Sequence, residues 1–189
     1  MIVYTSDHGE LVGEHGIWWK NTWHEAATHV PMIISLPEHR DGSLPAQEVR
    51  TPVSLADLFP TFCGLTGVDR PDGLVGVDLT DTLKGGTNDA LSDRAGVITE
   101  ATHPRWGAGT EFRMIRSERY KYITFRDCDD LAFDLEADPL EQTNLLKDDP
   151  ENADLVALRE AVQDGFDFDD VETTRKCLSQ CGIISSKDG

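Results

Sequence analysis

The first pattern in the chain is a run of apolar and β-branched side chains at residues 1–5, which predicts a buried strand. The run stops at Asp7–Gly9, where a carboxylate, an imidazole and a glycine follow one another. A second apolar run at Val30–Leu36 predicts the next buried strand. Between them, Thr22–His29 has the pattern of a short helix that begins at Thr22, with Glu25 three residues later completing a capping box.

Later in the chain, the apolar periodicity of Leu55–Thr66 predicts a helix with Ser54 as its N-cap and Gly67 as its stop. Alternating segments then predict an antiparallel hairpin that turns near Ser117. The further predicted elements are strands at Val97–Thr99, Glu111–Ile115, Tyr120–Thr124 and Leu131–Leu135, and a helix at Asn152–Val162. This order predicts an α/β protein that ends in a small antiparallel sheet.

The predicted elements divide the chain into three parts. They are an α/β core at residues 1–95, a small α+β subdomain at residues 96–165, and a loose acidic tail at residues 166–189. A length of 189 residues suits one domain or one and a half. No apolar stretch is long enough to predict a membrane span.

Charge excludes one class of partner. The chain carries 35 acidic and 17 basic residues, a net charge of −18, which argues against nucleic-acid binding because phosphates are repelled. The acidity and the small number of lysines, six against eleven arginines, suggest a protein adapted to high salt. No signal peptide pattern is visible, which predicts a cytoplasmic protein if Met1 is the true start.

The four cysteines are spaced too irregularly to predict a disulfide framework. Cys63 falls on the apolar stripe of its helix and is predicted to be a packed core thiol. Cys177 and Cys181 are four residues apart, which leaves a metal site or a disulfide open as a minor alternative.

Candidate chemistry lies at the end of the first strand. In an open α/β sheet, ligands gather beyond the carboxyl ends of strands. The Asp7 carboxylate and the His8 imidazole are donors for half of a divalent-cation site, and Gly9 permits close backbone approach. Lys20, thirteen residues after Asp7, is able to fold back as a point charge for an anionic substrate. The alternative is a turn whose polar side chains make only local hydrogen bonds.

The neighbouring aromatic and imidazole side chains could be functional or structural. Trp18, Trp19 and Trp23 form either the wall of a substrate pocket or part of a core. His24 and His29 are predicted to be packing or capping residues rather than metal ligands.

These motifs together resemble the sulfatase family. The resemblance rests on Ser6-Asp7-His8-Gly9, Gly13-Glu14-His15-Gly16, Lys20, Ala27-Thr28-His29-Val30-Pro31, Tyr120-Lys121-Tyr122 and Phe133-Asp134-Leu135-Glu136. The branch that it most resembles contains iduronate 2-sulfatase, choline-sulfatase and the phosphonate monoester hydrolases. The similarity extends over roughly residues 1–165.

The resemblance implies an alkaline phosphatase-like fold and hydrolysis of sulfate esters. Such enzymes use one divalent cation, usually calcium, and a formylglycine made from cysteine or serine. By position, Asp7 and His8 would be metal ligands, and Lys20 would contact the sulfate as a catalytic and substrate-binding residue. His15 matches a family motif and is a second catalytic and substrate-binding candidate. The implied partner is a sulfated small molecule or glycan.

The nucleophile of that family has no counterpart here. No cysteine or serine begins the pattern Cys/Ser-x-Pro-x-Arg, and the paired N-terminal aspartates that complete the metal shell are missing. The chain is therefore expected to be the C-terminal portion of a sulfatase, inactive alone. A separately encoded N-terminal half is an expected partner. The alternatives are a phosphonate or phosphate ester hydrolase of the same superfamily, and a non-catalytic remnant or complementing subunit.

Overall fold

The computed structural model describes residues 1–103 and 105–180, which form two compact units. The N-terminal unit contains residues 1–20 and 26–97. The C-terminal unit contains the chain from Ile98 onward together with Asn21–Glu25. The sequence predicted a single boundary near residue 95. In the structure, five residues from the first part of the sequence, Asn21–Glu25, belong to the C-terminal unit.

The N-terminal unit contains a two-stranded antiparallel sheet of β1 (Ile2–Thr5) and β2 (Met32–Ser35), in which Tyr4 lies opposite Ile33. The strands are where the sequence predicts them, but the expectation that they are buried is wrong. Ile2, Tyr4 and Ile33 are 58%, 63% and 60% exposed. The physical reason is that, within residues 1–103 and 105–180, no other helix or strand packs extensively against β1 or β2.

Short helices make up most of the remaining N-terminal unit. They are α1 (Glu25–Thr28), which starts in the C-terminal unit, α2 (Pro37–Asp41), α3 (Leu58–Thr66), α4 (Thr80–Leu83) and α5 (Asp89–Ser92), with 3-10 turns at Glu14–Gly16 and Leu55–Asp57. The helix predicted around residues 55–66 is confirmed: Ser54 Oγ accepts a hydrogen bond from the Ala56 amide, and Gly67 ends the helix at φ 71°. Cys63 is buried in it, as predicted.

The predicted capping box at Thr22 is wrong, because α1 begins only at Glu25. Thr22 Oγ1 instead accepts a hydrogen bond from the His24 amide at 3.1 Å. The Glu25 carboxylate does not reach back to Thr22; its Oε1 lies 2.7 Å from Lys121 Nζ.

A buried ion pair connects distant parts of the N-terminal unit. Arg94 donates from both terminal nitrogens to the Asp57 carboxylate, at 2.9 and 2.7 Å. The same carboxylate accepts hydrogen bonds from the Ser54 and Val77 amides, each at 2.7 Å. Every oxygen of this buried carboxylate is therefore paired, as burial of a charge requires.

The C-terminal unit is built on a four-stranded sheet in the order β3-β4-β5-β6. Its strands are β3 (Val97–Ala101), which starts at the last residue of the N-terminal unit, β4 (Phe112–Arg116), β5 (Tyr120–Phe125) and β6 (Leu131–Asp134). Strands β4 and β5 form the predicted antiparallel hairpin, closed by the Ser117 amide donating to the Tyr120 carbonyl at 2.9 Å. The small antiparallel sheet expected from the sequence is confirmed.

Both faces of this sheet are covered by apolar side chains. On one face, helix α6 (Ala153–Gln163) packs through Leu155, Leu158 and Val162. The other face buries Phe112, Met114, Ile123 and Phe133, with Trp23 packed against them. Trp23 thus belongs to the core of the C-terminal unit, which is one of its two predicted roles.

The predicted loose tail differs from the structure over most of its length. Residues Phe168–Gln180 form helix α7. Arg126, the residue after β5, has its Nη2 atom 2.8 Å from Glu172 Oε2 on this helix and also pairs with Asp169. Ion pairs therefore connect α7 to the end of β5. Cys181 lies outside the described residues. Within residues 1–103 and 105–180, no helix has the length and apolar character needed to cross a membrane.

Candidate functional site

The candidate chemistry lies on one loop, residues 6–20, which leaves the end of β1 (hereafter the site loop). Its first turn is closed by local hydrogen bonds. Ser6 Oγ donates to the His8 carbonyl at 2.8 Å, and Asp7 Oδ1 accepts from the His8 amide at 3.0 Å. The Asp7 side chain is 84% exposed and the His8 side chain 38%. The strand end therefore presents a solvated carboxylate beside a partly buried imidazole.

The orientation of the His8 ring is set by its own backbone neighbourhood. Nδ1 lies 2.8 Å from the Gly9 carbonyl oxygen, which can only accept, so Nδ1 carries the proton. In the neutral ring the lone pair is then on Nε2, which lies 3.5 Å from Asp7 Oδ2. When His8 is protonated, its charge holds the pKa of Asp7 below its ordinary value, and the His8 amide and Ser6 hydroxyl add to that effect.

Two donors in this arrangement fit adjacent corners of a metal site. Ligand atoms about 2.4 Å from one ion and at right angles to each other are roughly 3.4 Å apart, close to the observed 3.5 Å. A backbone carbonyl that accepts the Nδ1 proton is a common way in which a protein orients a ligating imidazole. Two donors do not complete a calcium shell, which takes six to eight oxygens. Across the part of the chain that the structure describes, no group of three His, Cys, Asp or Glu side chains forms a metal site.

Gly9 fixes the base of the site loop by close packing. Its amide donates to the Ala27 carbonyl at 2.8 Å. A Cβ atom at Gly9 would lie 2.0 Å from the Ala26 carbonyl oxygen, so only glycine fits there. The sequence predicted close backbone approach at Gly9; the structure shows that the approaching group is the backbone of α1.

The middle of the site loop contains strained backbone. Val12 and His15 have φ values of 50° and 53°, in the left-handed region. A β-branched residue such as Val12 rarely enters that region. Leu11 beside them is buried, and the Glu14 amide donates to its carbonyl at 2.9 Å. Strain of this kind persists only where surrounding contacts determine the conformation, and it is concentrated at functional sites. His15 is exposed at the apex of this turn.

Lys20 ends the site loop and is exposed, as are Trp18 and Trp19. The two tryptophans are therefore not core residues, which leaves the pocket-wall interpretation open for them. The structure brings Asp7 and His8 together directly. It places His15 and Lys20 on the same loop, and their approach to a common anion stays a prediction.

The other two histidines of this region, His24 and His29, differ in burial. His24 is buried, contacts Thr22 Oγ1 through Nδ1, and stacks on Trp23 with ring centroids 5.1 Å apart. This confirms its predicted packing role. His29 is exposed.

Sequence reasoning missed one buried charge centre. Lys121 Nζ lies 2.7 Å from both Glu25 Oε1 and Glu141 Oε1, and its side chain is fully buried. The signal was present in the strand pattern. Lys121, Ile123 and Phe125 are two residues apart, so they lie on the same face of β5, which is otherwise apolar. A charged residue at a core position of a strand indicates buried partners.

Comparison with known proteins gives the class. Phosphonate monoester hydrolase of Agrobacterium radiobacter superposes with a TM-score of 0.68 at 29% identity, over 96% of this chain and 35% of the hydrolase. A protein solved in complex with its substrate D-glucosamine-2-N,6-O-disulfate gives a TM-score of 0.68 at 27% identity, over 86% of this chain and 33% of its own. The predicted alkaline phosphatase-like α/β fold is thereby confirmed.

Sequence relatives narrow the class to a family. Arylsulfatase K of Xenopus laevis is 35% identical over 162 residues, which cover 79% of this chain and 28% of that protein. Residues 13–164 match the profile of the family described as N-sulphoglucosamine sulphohydrolase, C-terminal. The chain belongs to that family, and the resemblance to sulfatases is confirmed. It spans just over a quarter of the length of the arylsulfatase K relatives.

Proposed function

We propose that this chain takes part in the hydrolysis of sulfate esters as the C-terminal portion of a sulfatase. The observation that carries the proposal is the Asp7–His8 pair, whose Oδ2 and Nε2 atoms lie 3.5 Å apart at the end of an α/β strand. Membership of a sulfatase C-terminal family supports it. Arylsulfatase relatives at 30–35% identity support the sulfate ester as the substrate class.

In this proposal each site residue has a physical role. Asp7 and His8 would hold one divalent cation, calcium by analogy with the family, which supplies positive charge for the sulfate oxygens. Lys20 adds an exposed ammonium group for the same anion. His15, held at the apex of the strained turn, would bind or donate to the ester.

The chain would act on substrate only together with a polypeptide that supplies the nucleophile, since it contains no Cys/Ser-x-Pro-x-Arg pattern. The exposed apolar side chains of Ile2, Tyr4 and Ile33 support such a partner. They lie on one face of the β1–β2 sheet, because Tyr4 is opposite Ile33 and Ile2 is two residues from Tyr4. Apolar residues grouped on an exposed sheet face mark a contact surface.

One observation favours a second candidate function. Phosphonate monoester hydrolase is about as similar in structure as the disulfated-sugar complex, with the same TM-score of 0.68. A cation and a lysine stabilise either tetrahedral anion, so the residues of this chain suit a phosphonate or phosphate ester as well. A non-catalytic complementing role is the remaining alternative.

The test compares the purified chain with the chain co-expressed with the polypeptide encoded immediately upstream of it. Both preparations are assayed with 4-nitrocatechol sulfate and with a phenylphosphonate monoester, with calcium and with a chelator. We expect no turnover by the chain alone and chelator-sensitive sulfate hydrolysis by the pair. Preferential phosphonate hydrolysis would transfer the proposal to the second candidate, and turnover of neither substrate would contradict both.

Matched variants identify the site within that assay. Asp7→Asn and His8→Gln should abolish hydrolysis, because each removes a cation donor. Asp41→Asn and His39→Gln make the same chemical changes at positions outside the site loop and should leave the rate unchanged. Equal loss in both sets would show that the site has been misplaced.

A further inference from the structure

The five residues that follow Lys20 are held by the C-terminal unit at almost every position. The Asn21 carbonyl accepts a hydrogen bond from Trp106 Nε1 at 2.6 Å. Thr22 and His24 are buried. The Trp23 ring makes edge-to-face contacts with Phe112 and Phe125, at centroid distances of 5.7 and 5.0 Å. We call Asn21–Glu25 the bridging segment.

The polar contacts of the bridging segment converge on Lys121. Its Nζ donates to the Trp23 carbonyl at 2.8 Å and lies 2.7 Å from Glu25 Oε1. It also lies 2.7 Å from Glu141 Oε1, while Glu141 Oε2 accepts from the Glu25 amide at 2.6 Å. Arg116 lies 3.6 Å from Glu25. Two cations and two carboxylates therefore neutralise one another around a fully buried ammonium group.

Backbone geometry at this centre is also constrained. Glu141 has a φ of 53°, which a non-glycine residue adopts only when its surroundings require it. In that conformation one carboxylate accepts from both the Lys121 ammonium and the Glu25 amide. The strain at Glu141 thus accompanies contacts to the bridging segment.

The bridging segment adjoins the site loop covalently at one end and connects to it through a hydrogen bond at the other. Lys20 precedes it directly. Helix α1 begins at its last residue, Glu25, and continues to Ala27, whose carbonyl receives the Gly9 amide. We propose that Lys121 is a positioning residue: by fixing the bridging segment it fixes the first residue of helix α1 and, along that one-turn helix, the Ala27 carbonyl that receives the Gly9 amide. The catalytic meaning of this rests on the proposed function, whereas the mechanical coupling does not.

The coupling is tested by amide hydrogen exchange in the full chain carrying Lys121→Met, which keeps the side-chain length and removes the charge. We expect exchange at Glu25 and Gly9 to accelerate on the order of 100-fold, relative to the Met114–Ile123 pairs of the β4–β5 ladder. Arg119→Met is the matched control: it removes the Arg119–Asp134 pair from the same sheet and should leave the Glu25 and Gly9 amides unchanged. If Lys121→Met does not fold, Glu25→Gln makes the milder change at the same centre.

A double variant separates positioning from stability. In Lys121→Met with Glu141→Met, the orphaned Glu141 carboxylate is gone, so much of the global stability should return. The Trp23 carbonyl and the Glu25 amide remain without these partners, so the Glu25 and Gly9 amides should stay fast. Recovery of slow exchange at Glu25 and Gly9 in the double variant would overturn the proposal, because the effect of the single variant would then be a loss of global stability alone. A failure of sulfate hydrolysis would leave these exchange results untouched.

Discussion

Two adjoining stretches of this chain, the site loop and the bridging segment, differ in the solvent exposure of their charged side chains. The site loop exposes it: the Asp7 carboxylate is 84% exposed and Lys20 is solvated. The charge of the bridging segment is mostly enclosed: the Glu25 side chain is 18% exposed and pairs with an ammonium group that has no exposed surface. Exposed groups remain available to a ligand, and buried ones are costly unless each has a partner.

The difference shows where the precision of the candidate site comes from. In the site loop the polar side chains make mainly short-range contacts, and position is set by backbone features such as the Gly9 contact and the positive φ of Val12. In the bridging segment, position is set by side chains from distant parts of the sequence, Lys121 and Glu141. A solvated loop is thus followed directly by a segment that side chains distant in the sequence hold in place.

The largest effect is expected where a buried charge loses its partner. Arg94→Met leaves the Asp57 carboxylate buried without its cation, and we expect a loss of about 3–5 kcal/mol in the free energy of unfolding. Urea denaturation followed by far-UV circular dichroism measures it. Arg50→Met removes an ion pair to Glu48 that is exposed on both sides, and should cost under about 0.5 kcal/mol. Similar losses in both variants would remove the distinction between buried and exposed charge.

The Arg119–Asp134 pair in the C-terminal unit is partly buried, and its contribution to the free energy of unfolding should depend on pH. Hydrogen bonds from the Arg119 side chain hold the pKa of Asp134 below its ordinary value of 3.8, against the opposing effect of burial. The pair therefore stabilises the fold above that ordinary value, and its contribution is lost as the pH falls through the lowered native pKa. Asp134→Asn should cost roughly 2 kcal/mol at pH 7 and progressively less below pH 4, in urea titrations at several pH values. A cost that is independent of pH would contradict the assignment.

Close packing at the base of the site loop predicts the next effect. Gly9→Ala places a methyl group against the Ala26 carbonyl, so the loop must move away from α1, at a cost of about 1–3 kcal/mol. Faster exchange at the residue-9 amide, together with an unchanged β4–β5 ladder, is the expected signature. Wild-type exchange at that amide would mean that the contact with Ala27 is not formed in solution.

The smallest effect should come from the chemical groups themselves. Asp7→Asn alters an exposed carboxylate and should leave the urea midpoint unchanged. His8→Gln removes a ring that is partly buried and bonded to the Gly9 carbonyl, and should change the free energy of unfolding by about 1 kcal/mol at most. Urea denaturation measures this, and the same variants should abolish hydrolysis in the complemented preparation. A shifted urea midpoint in Asp7→Asn, or a loss in His8→Gln as large as that in Gly9→Ala, would indicate a structural role for the pair.

The sequence predicted elements best where local chemistry and packing agree. Ser54 and Gly67 mark the ends of their helix because a hydroxyl cap and a left-handed glycine act locally. The β4–β5 hairpin follows from alternation around Ser117. The position of Asp7 and His8 at a strand end follows from the break in the apolar run.

The failures have a common physical cause, since each depends on partners distant in sequence. Burial of β1 was expected from its composition, but burial depends on what packs against Ile2 and Tyr4. Glu25 was assigned to a local capping box, whereas its carboxylate contacts a lysine 96 positions later. The acidic stretch near Glu172 was expected to be loose, yet Arg126 and Lys176 pair with that residue, and its pKa is lowered by the hydrogen bonds from their side chains.

The bridging segment also determines how this molecule can be divided. Because Asn21–Glu25 comes from the first fifth of the polypeptide yet completes the second unit, no single cut separates the two units intact. A polypeptide that starts at Ile98 would lack the indole that fills the Phe112–Phe125 face and would leave an ammonium group inside an apolar layer with one carboxylate fewer. A second unit cut out at a linear boundary would therefore lack part of its core, so a dissection that keeps the unit intact has to include residues 21–25 as a grafted peptide.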